Sequence, residues 1–261
     1  MRLGILADIH GNLLALEAIL ADLERRQLNH VVNLGDCVSG PLWPRETAEL
    51  LTKLQWSTVR GNHDRWVTNL PSDKHSPSDA YAFRALDAPM LEWLHALPPV
   101  CELNGAIFAC HGRPDDDNAY LLENVTEGRL VPAPPKEIAE RVRTISSQFV
   151  LCAHSHLPGA ATVGDITIIN PGSVGMPAYE DPFPPAHVSE SGTPFARYAI
   201  LQLDGGNLSF EHIAIPYDHD AAARRAEENE NLAWAHFLRT GYARNQTIRF
   251  ERPAELRSQP Q

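Results

Sequence analysis

The stretch that decides the fold lies at the start of the chain and reads Met1-Arg2-Leu3-Gly4-Ile5-Leu6-Ala7-Asp8-Ile9-His10-Gly11-Asn12. An apolar run ends at two metal-capable side chains, Asp8 and His10, and the next two residues mark a turn before a helix. Alternate residues of a strand share a face, which predicts that these two side chains converge. Ligands of open α/β sheets bind outside the carboxyl ends of the strands. The sequence therefore predicts a metal site at that edge.

Length and charge limit the classes of function. The 261 residues fit one large domain, and a hydrophobic fraction of 43% is ordinary for a globular protein. The net charge of −11 argues against a stable nucleic-acid complex, which needs a basic face. A small phosphate substrate remains compatible with this charge, because bound metal ions reverse the local field.

The chain carries no signal for a membrane or for secretion. No apolar run is long enough to span a bilayer, and the first residues do not resemble a signal peptide. We therefore expect a cytoplasmic protein with no membrane partner. The cysteines lie in or beside apolar runs and are predicted to be buried and unpaired: Cys37, Cys101, Cys110 and Cys152.

The amino-terminal part alternates strand and helix patterns. Strands near residues 2–7, 30–34 and 56–59 are separated by helices near 13–26 and 44–54. This βαβαβ order predicts parallel strands joined by helical crossovers.

The remainder of the chain is predicted to be rich in hairpins. Hairpins are expected near residues 98–110, 159–170 and 195–215. Two stretches with many turn formers, 113–135 and 176–194, are predicted to be long loops.

One domain is predicted over residues 1–241. Its last element is a single helix over 220–240, and Gly241 is expected to end that helix. Residues 242–261 are polar without clear periodicity and are predicted to form a C-terminal tail or arm.

The strongest feature of the sequence is that five strand ends each deliver polar residues that can bind metal or move a proton. Histidine, carboxylate and amide oxygen together suit Mn²⁺, Fe or Zn²⁺ better than Ca²⁺. There are more ligands than one ion needs, which indicates two. The residues are Asp8, His10, Asp36, Asn62, His63, Asp64, His111, His154 and His156.

Two neighbouring metal ions form a clamp for displacement at phosphorus, and a water between them ionises near neutral pH. One residue near the ions must remain unligated to protonate the leaving oxygen. His63 is the candidate, since its neighbour Asn62 is expected to face the metal. Asp64 is predicted to fix the tautomer of a histidine by accepting its N–H.

The blocks Asp8-x-His10, Gly35-Asp36, Gly61-Asn62-His63-Asp64, His111 and His154-x-His156 resemble the calcineurin-like metallophosphoesterase superfamily. They occur in the family's order across residues 8–156. The turn Asn170-Pro171-Gly172-Ser173 extends the resemblance to the small bacterial and archaeal phosphodiesterases of that family. Ala153 stands where the family usually has glycine.

The resemblance implies an α/β fold with a two-sheet β-sandwich flanked by helices. It implies two divalent ions, drawn from Mn²⁺, Fe²⁺ or Fe³⁺, Zn²⁺ and Ni²⁺. Asp8, His10, Asp36 and His156 would bind one of them. The other would take Asp36 as a shared ligand together with Asn62, His111 and His154, and His63 would face the leaving group.

The function expected from the resemblance is hydrolysis of small or nucleotide-like phosphodiesters by a hydroxide between the two ions. A phosphomonoesterase and a dinucleoside polyphosphate hydrolase stay open as alternatives. So does a binding protein that keeps the fold without catalysis. The expected partner is a small phosphate ester, and the sequence leaves a homo-oligomer open.

Two further residues are candidates for substrate contact. Arg113 follows His111 by two positions and could grip a phosphate oxygen or lie solvated in its loop. Asn12 could contact substrate, although capping of the following helix is the favoured interpretation.

Overall fold

A computed structural model describes residues 1–204 and 207–244 of the chain. Its amino-terminal part alternates strands and helices. The elements are β1 (Arg2–Leu6), α1 (Leu13–Arg25), β2 (Val31–Asn33), α2 (Pro44–Leu54), β3 (Ser57–Thr58), α3 (Asn62–Asn69), α4 (Pro77–Ala85) and α5 (Ala88–His95).

Strands dominate the rest of the described chain. The elements are β4 (Val100–Leu103), β5 (Ile107–Cys110), β6 (Glu123–Thr126), β7 (Arg129–Pro132), α6 (Pro135–Arg141), β8 (Phe149–Leu151), β9 (Pro158–Val163), β10 (Ile166–Pro171), β11 (Ala178–Asp181), β12 (His187–Glu190), β13 (Ala196–Asp204), β14 (Asn207–Ile215), α7 (His219–Glu228) and α8 (Leu232–Thr240).

The strands form three mixed sheets. The first has the order β14-β13-β1-β2-β3, the second β4-β5-β8-β10-β9, and the third β11-β12-β7-β6. Strand β1 lies in the middle of the first sheet, parallel to β2 and antiparallel to β13. Strand β3 is also parallel to β2, which confirms the predicted βαβαβ start. In the second sheet, β8 is parallel to both β5 and β10.

The two five-stranded sheets pack face to face through an apolar core. Leu3, Ile5 and Val32 of the first sheet belong to the same buried cluster as Phe149 and Leu151 of the second. Burying each such side chain contributes about 1.5–3 kcal/mol to folding. The predicted sandwich is therefore confirmed.

Helices cover the outer faces of the sandwich. Leu6 points away from the inter-sheet core and packs with Leu16 and Ile19 of α1. On the other side, Val150 packs with Ile138 of α6. Strand β1 is thus buried on both faces, which explains its continuous apolar run.

The prediction of two long loops was wrong in part. Residues 113–135 contain the hairpin β6–β7, and residues 176–194 contain the hairpin β11–β12. The hairpins join through one parallel pair, Val188 with Arg129, to form the third sheet. Each hairpin is short and proline-flanked, and their pairing spans about sixty residues, so local patterns do not reveal it.

The predicted helix over 220–240 is two helices, α7 and α8. Glu230 adopts a left-handed conformation between them, with φ of 58°. Asn231 then caps α8 by accepting the N–H of Trp234. Gly241 ends α8 with φ of 73°, as predicted. Helix α3 was not predicted, because it begins within the motif Gly61-Asn62-His63-Asp64, which was interpreted as the end of the third strand.

Most of the predicted tail, residues 245–261, lies outside the described residues. Before that point, the N–H groups of Ala243 and Arg244 donate to Glu190 and Glu180 of the third sheet. Across residues 1–204 and 207–244, no helix is both long and apolar enough to cross a membrane.

Candidate metal centre

Five of the candidate ligands lie in left-handed backbone just beyond strand ends. Their φ angles are 54° for Asp8, 51° for His10, 55° for Asp36, 70° for His154 and 60° for His156. Such angles are uncommon outside glycine and cluster at functional sites. The predicted reason for convergence was wrong: β1 ends at Leu6, so a tight turn, and not strand alternation, brings Asp8 and His10 together.

Three histidines share one hydrogen-bonding pattern. The Nδ1 atoms of His10, His111 and His156 lie 2.7–2.8 Å from the carbonyl oxygens of Ser39, Leu34 and Met176, respectively. A carbonyl oxygen only accepts, so each Nδ1 carries the proton. In the neutral ring, each Nε2 then presents a lone pair, as in histidines that bind metal ions.

These lone pairs point at one another and at carboxylates. The Nε2 atoms of His10 and His156 lie 3.2 Å apart, where two lone pairs repel unless a cation separates them. Asp8 Oδ1 lies 3.4 Å from His156 Nε2. Asp36 Oδ2 lies 3.6 Å from His10 Nε2 and 3.4 Å from His111 Nε2.

Several buried polar atoms of this cluster have no hydrogen-bond partner in the described structure: both carboxylate oxygens of Asp8, Oδ1 of Asn62 and Nε2 of His111. Unpaired buried charges are costly, which implies a cation as partner. Ligand atoms lie within 4.8 Å of one another in two groups that share Asp8. One group adds His10 and His156, and the other adds Asp36 and His111. These residues fit divalent cations.

His154 belongs to neither group but lies beside the second. Its ring centroid is 5.2 Å from that of His111. Its Nε2 donates to the carbonyl oxygen of Asn118 across 2.9 Å, and its ring stacks on Tyr120. The nitrogen left for a metal ion is therefore Nδ1, the reverse of the other three histidines.

The electrostatics of the centre keep two histidines neutral. Burial lowers the pKa of His10 to about 4. Burial and the neighbouring His111 lower the pKa of His154 to about 3. Burial also lowers the pKa of His111, but Asp36 and Asp8 outweigh that effect and raise it to about 10. The buried carboxylates thus draw positive charge into the centre.

His63 lies at the start of α3 beside the ligands. Its Nδ1 donates to Asp79 Oδ1 across 2.7 Å. The hydroxyls of Ser39 and Ser76 also donate to Asp79, each across 2.6 Å. Burial lowers the pKa of His63, but the carboxylates of Asp36 and Asp79 outweigh it and raise it to about 9. With Nδ1 engaged, Nε2 is the nitrogen left to meet a ligand.

Among the described residues, Asp64 accepts no histidine N–H, so the prediction of that bond was wrong. Its carboxylate accepts the backbone N–H groups of Asp36, Cys37 and Gly61 at 2.8–3.0 Å. These bonds fasten the turn that carries Asp36 to the start of α3. Burial and the Asp36 carboxylate raise the pKa of Asp64 to about 7.

Asp79 was missed by sequence reasoning. The only signal is Ser76-x-x-Asp79 at the start of α4, where Ser76 accepts the Asp79 N–H as a helix cap. That pattern predicts a local cap and gives no indication of a partner on α3.

The two predicted substrate contacts are placed differently. Asn12 is fully buried and caps α1, while its amide donates to Gly175 O and Tyr217 Oη. No part of that side chain is left for substrate. Arg113 donates to the carbonyl of Tyr120 and lines a second cavity of about 510 Å³, which shares Asn118, Tyr120, Asp181 and Phe183 with the cavity of the metal centre.

Six candidate residues line one cavity of about 780 Å³: His10, Asp36, Asn62, His63, His154 and His156. The calcineurin-like phosphoesterase superfamily domain matches residues 1–191. The chain belongs to this superfamily.

Relatives of this metallophosphoesterase span nearly its whole length. It is 25% identical over 255 residues to an uncharacterized protein of Methanocaldococcus jannaschii, covering 89% of this chain and 94% of that one. A metallophosphoesterase from Sphaerobacter thermophilus superposes with a TM-score of 0.67 at 24% identity, covering 90% and 99%. A hypothetical protein from Pyrococcus horikoshii gives 0.73 at 20% identity, covering 93% and 99%. These two structures share the fold.

Proposed function

We propose that this metallophosphoesterase hydrolyses phosphodiesters of small or nucleotide-like alcohols with the help of two divalent ions. The observation that carries the proposal is a set of buried ligand atoms, in Asp8, Asn62 and His111, that have no hydrogen-bond partner among the described residues, beside an open cavity that Asn62 lines. Buried polar atoms without partners mark functional positions, since folding alone would have paired them.

The proposed ligand sets are those that the family resemblance implies, and the two clusters of ligand atoms around Asp8 support part of each. Asp8, His10 and His156 would hold one ion, and Asn62, His111 and His154 would hold the other. Asp36 would be shared, because its Oδ2 lies within 3.6 Å of Nε2 in both His10 and His111. Mn²⁺, Fe, Zn²⁺ and Ni²⁺ all accept this mixture of imidazole and carboxylate.

When bound, the ions would neutralise charge on the phosphate and lower the pKa of a water. The chain supplies the proton for the leaving oxygen. Asp79 fixes the His63 ring through Nδ1, which leaves Nε2 to donate to an ester oxygen in the cavity. Asp79 does not touch substrate in this scheme and acts by positioning His63.

The charge of the cavity favours a diester over a monoester or a polyphosphate. Apart from the candidate ligands and the His63–Asp79 pair, the described lining carries Glu180 and Asp181 against one cation, Lys74. A diester bears one negative charge, whereas a monoester or a dinucleoside polyphosphate bears more. The additional charges would meet carboxylates without matching cations among these residues.

The test is cleavage of bis(p-nitrophenyl) phosphate and p-nitrophenyl phosphate by protein loaded with Mn²⁺. We expect faster turnover of the diester, two bound ions per chain, and loss of about 10²–10⁴ in rate for His63→Ala with metal content retained. His30→Ala, at an exposed histidine, is the matched control. A fixed stoichiometry of one ion would contradict the dinuclear centre. Absence of turnover with several metals and esters would favour a binding protein on this fold.

A further inference from the structure

The cavity above the metal centre is walled by aromatic rings. Four candidate histidines each have one aromatic neighbour, and we call these neighbours the aromatic collar: Trp66, Tyr120, Tyr179 and Trp234. Ring centroids lie 4.7 Å apart for Trp66 and His63, 4.7 Å for Tyr179 and His156, 4.8 Å for Tyr120 and His154, and 5.9 Å for Trp234 and His10.

The collar is held in place by its polar atoms. The hydroxyl of Tyr120 is hydrogen-bonded to that of Tyr179 across 2.8 Å and to His187 Nε2 across 2.6 Å. These bonds fix the tyrosines to the third sheet, which leaves their rings as the surface offered to a ligand. The collar residues come from separate parts of the chain: α3, the segment before β6, β11 and α8.

Two exposed apolar side chains line the cavity. Phe183, between β11 and β12, is 75% exposed, and Leu70, just after α3, is 38% exposed. Both line the same cavity as the metal centre. Prolines on both sides of Phe183 restrict its segment, so little conformational freedom is lost when a ligand packs there. Exposed aromatic rings at the mouth of a cavity favour apolar contact with a ligand.

We propose that the substrate carries an uncharged planar aromatic group, which packs between Phe183 and the collar while its single phosphate lies at the metal centre. This proposal rests on the proposed phosphodiesterase function. Aryl and nucleoside diesters fit the description, whereas polar aliphatic diesters lack a ring and polyphosphates carry too much charge. The volume of about 780 Å³ accommodates a group of nucleoside size.

The test measures binding apart from turnover. Metal-loaded His63→Ala protein is titrated by calorimetry with dimethyl phosphate, methyl cyclohexyl phosphate and methyl phenyl phosphate, which carry the same single charge. We expect methyl phenyl phosphate to bind about tenfold more tightly than dimethyl phosphate. The cyclohexyl ester should fall between them, because it is apolar but not planar.

Phe183→Ala in the same background should reduce the phenyl-to-methyl ratio of affinities by about three- to tenfold. Phe210→Ala, at an exposed phenylalanine on β14 outside the cavity, should leave the ratio unchanged. Equal affinities for the three esters, or a ratio insensitive to both Phe183→Ala and Trp66→Leu, would overturn the proposal. A preference for the phenyl ester without hydrolysis by the native protein would support the collar and contradict catalysis. Hydrolysis by the native protein without any preference among the three esters would support catalysis and contradict the role of the collar.

Discussion

Asp79 Oδ1 accepts the Nδ1–H of His63 across 2.7 Å, from a helix that contributes no other residue to the candidate catalytic set. The carboxylate is almost fully buried, and hydroxyls of Ser39 and Ser76 hold it from two sides. Its orientation is therefore set before any ligand binds. A carboxylate fixed in this way fixes the imidazole in turn.

Asp79→Asn should slow turnover while leaving metal binding intact. A hydrogen bond to a charged group contributes about 1.5–3 kcal/mol, which corresponds to a decrease of roughly 10- to 100-fold in kcat. KM should change little, because Asp79 does not touch substrate in the proposed scheme. Metal content should also be retained, because Asp79 does not contact the metal ligands. Steady-state kinetics and metal analysis check this. Asp73→Asn, in the exposed turn before α4, is the control, and an equal decrease in that variant would count against a positioning role.

Gly61→Ala should destroy the centre for a steric reason. A methyl group on Gly61 would overlap the carboxylate of Asp36 and the backbone N of the same residue. We expect loss of bound metal and of activity, measured by elemental analysis and turnover. Gly159→Ala is a suitable comparison, because its methyl would make only an ordinary contact with Leu122. Full metal content in Gly61→Ala would show that Asp36 is not a required ligand.

Metal removal should destabilise the whole fold. Asp8 and Asp36 follow strands of the first sheet, whereas His111 and His156 follow strands of the second, so bound ions would join the two sheets. At a thousandfold excess over Kd, bound metal contributes about 4 kcal/mol, or roughly 10 °C in Tm for a chain of this size. Calorimetry before and after chelation, with Mn²⁺ added back, measures the change. An Asp8→Asn/His156→Ala variant should show a smaller dependence on Mn²⁺.

The bidentate pair of Arg65 and Asp117 should couple α3 to the segment that holds His154. The guanidinium donates to both carboxylate oxygens, at 2.8 and 2.6 Å, and the next residue, Asn118, accepts from His154. We expect each single alanine variant to lower metal affinity a few-fold, with a coupling of about 1 kcal/mol in the double-mutant cycle. Strict additivity would mean that the pair is only a surface contact.

Glu123 should make stability fall as pH rises. Burial raises the pKa of this carboxyl from 4.5 to about 7, and Oε2 has no partner in the described structure. The folded state therefore holds the proton more tightly than the unfolded chain between pH 4.5 and 7, so stability decreases across that window. Glu123→Gln should remove up to about 3 kcal/mol of this decrease.

Thermal unfolding from pH 5 to 8 compares native protein with Glu123→Gln. Glu102→Gln, on an exposed glutamate of β4, provides the control. Parallel curves for the native protein and Glu123→Gln would contradict a buried proton on Glu123.

The fold was predictable where apolar periodicity is strong. Strand β1, helix α1 and the crossover to β2 carry such patterns, and the family resemblance supplied the sandwich. The third sheet was not predictable, because its two hairpins, β6–β7 and β11–β12, are short and join only through the pairing of β12 with β7 across about sixty residues. Their stability comes from tertiary pairing, which no local window contains.

The candidate site shows the same division. The residues at strand ends, such as Asp36 and His111, could be predicted because each follows an apolar run. Asp79 could not be predicted as a partner of His63, because its own segment reads as a helix cap. The aromatic collar also escaped prediction, since aromatic residues at these positions are indistinguishable in sequence from ordinary core residues. Only the folded structure shows that Asp79 lies beside His63 and that the collar residues surround one cavity.

The left-handed backbone of five candidate ligands affects how mutational data from this site should be interpreted. Replacing Asp8 or His156 with alanine would remove a ligand. It would also put alanine into a left-handed backbone conformation that it disfavours, at a cost of roughly 1 kcal/mol. An alanine scan would therefore overstate what metal coordination contributes. Asparagine tolerates the same backbone, and glycine adopts it without strain. The difference in stability between the glycine and alanine variants at one position would measure the cost of the backbone conformation. The difference between the native protein and the glycine variant would then measure the contribution of the ligand.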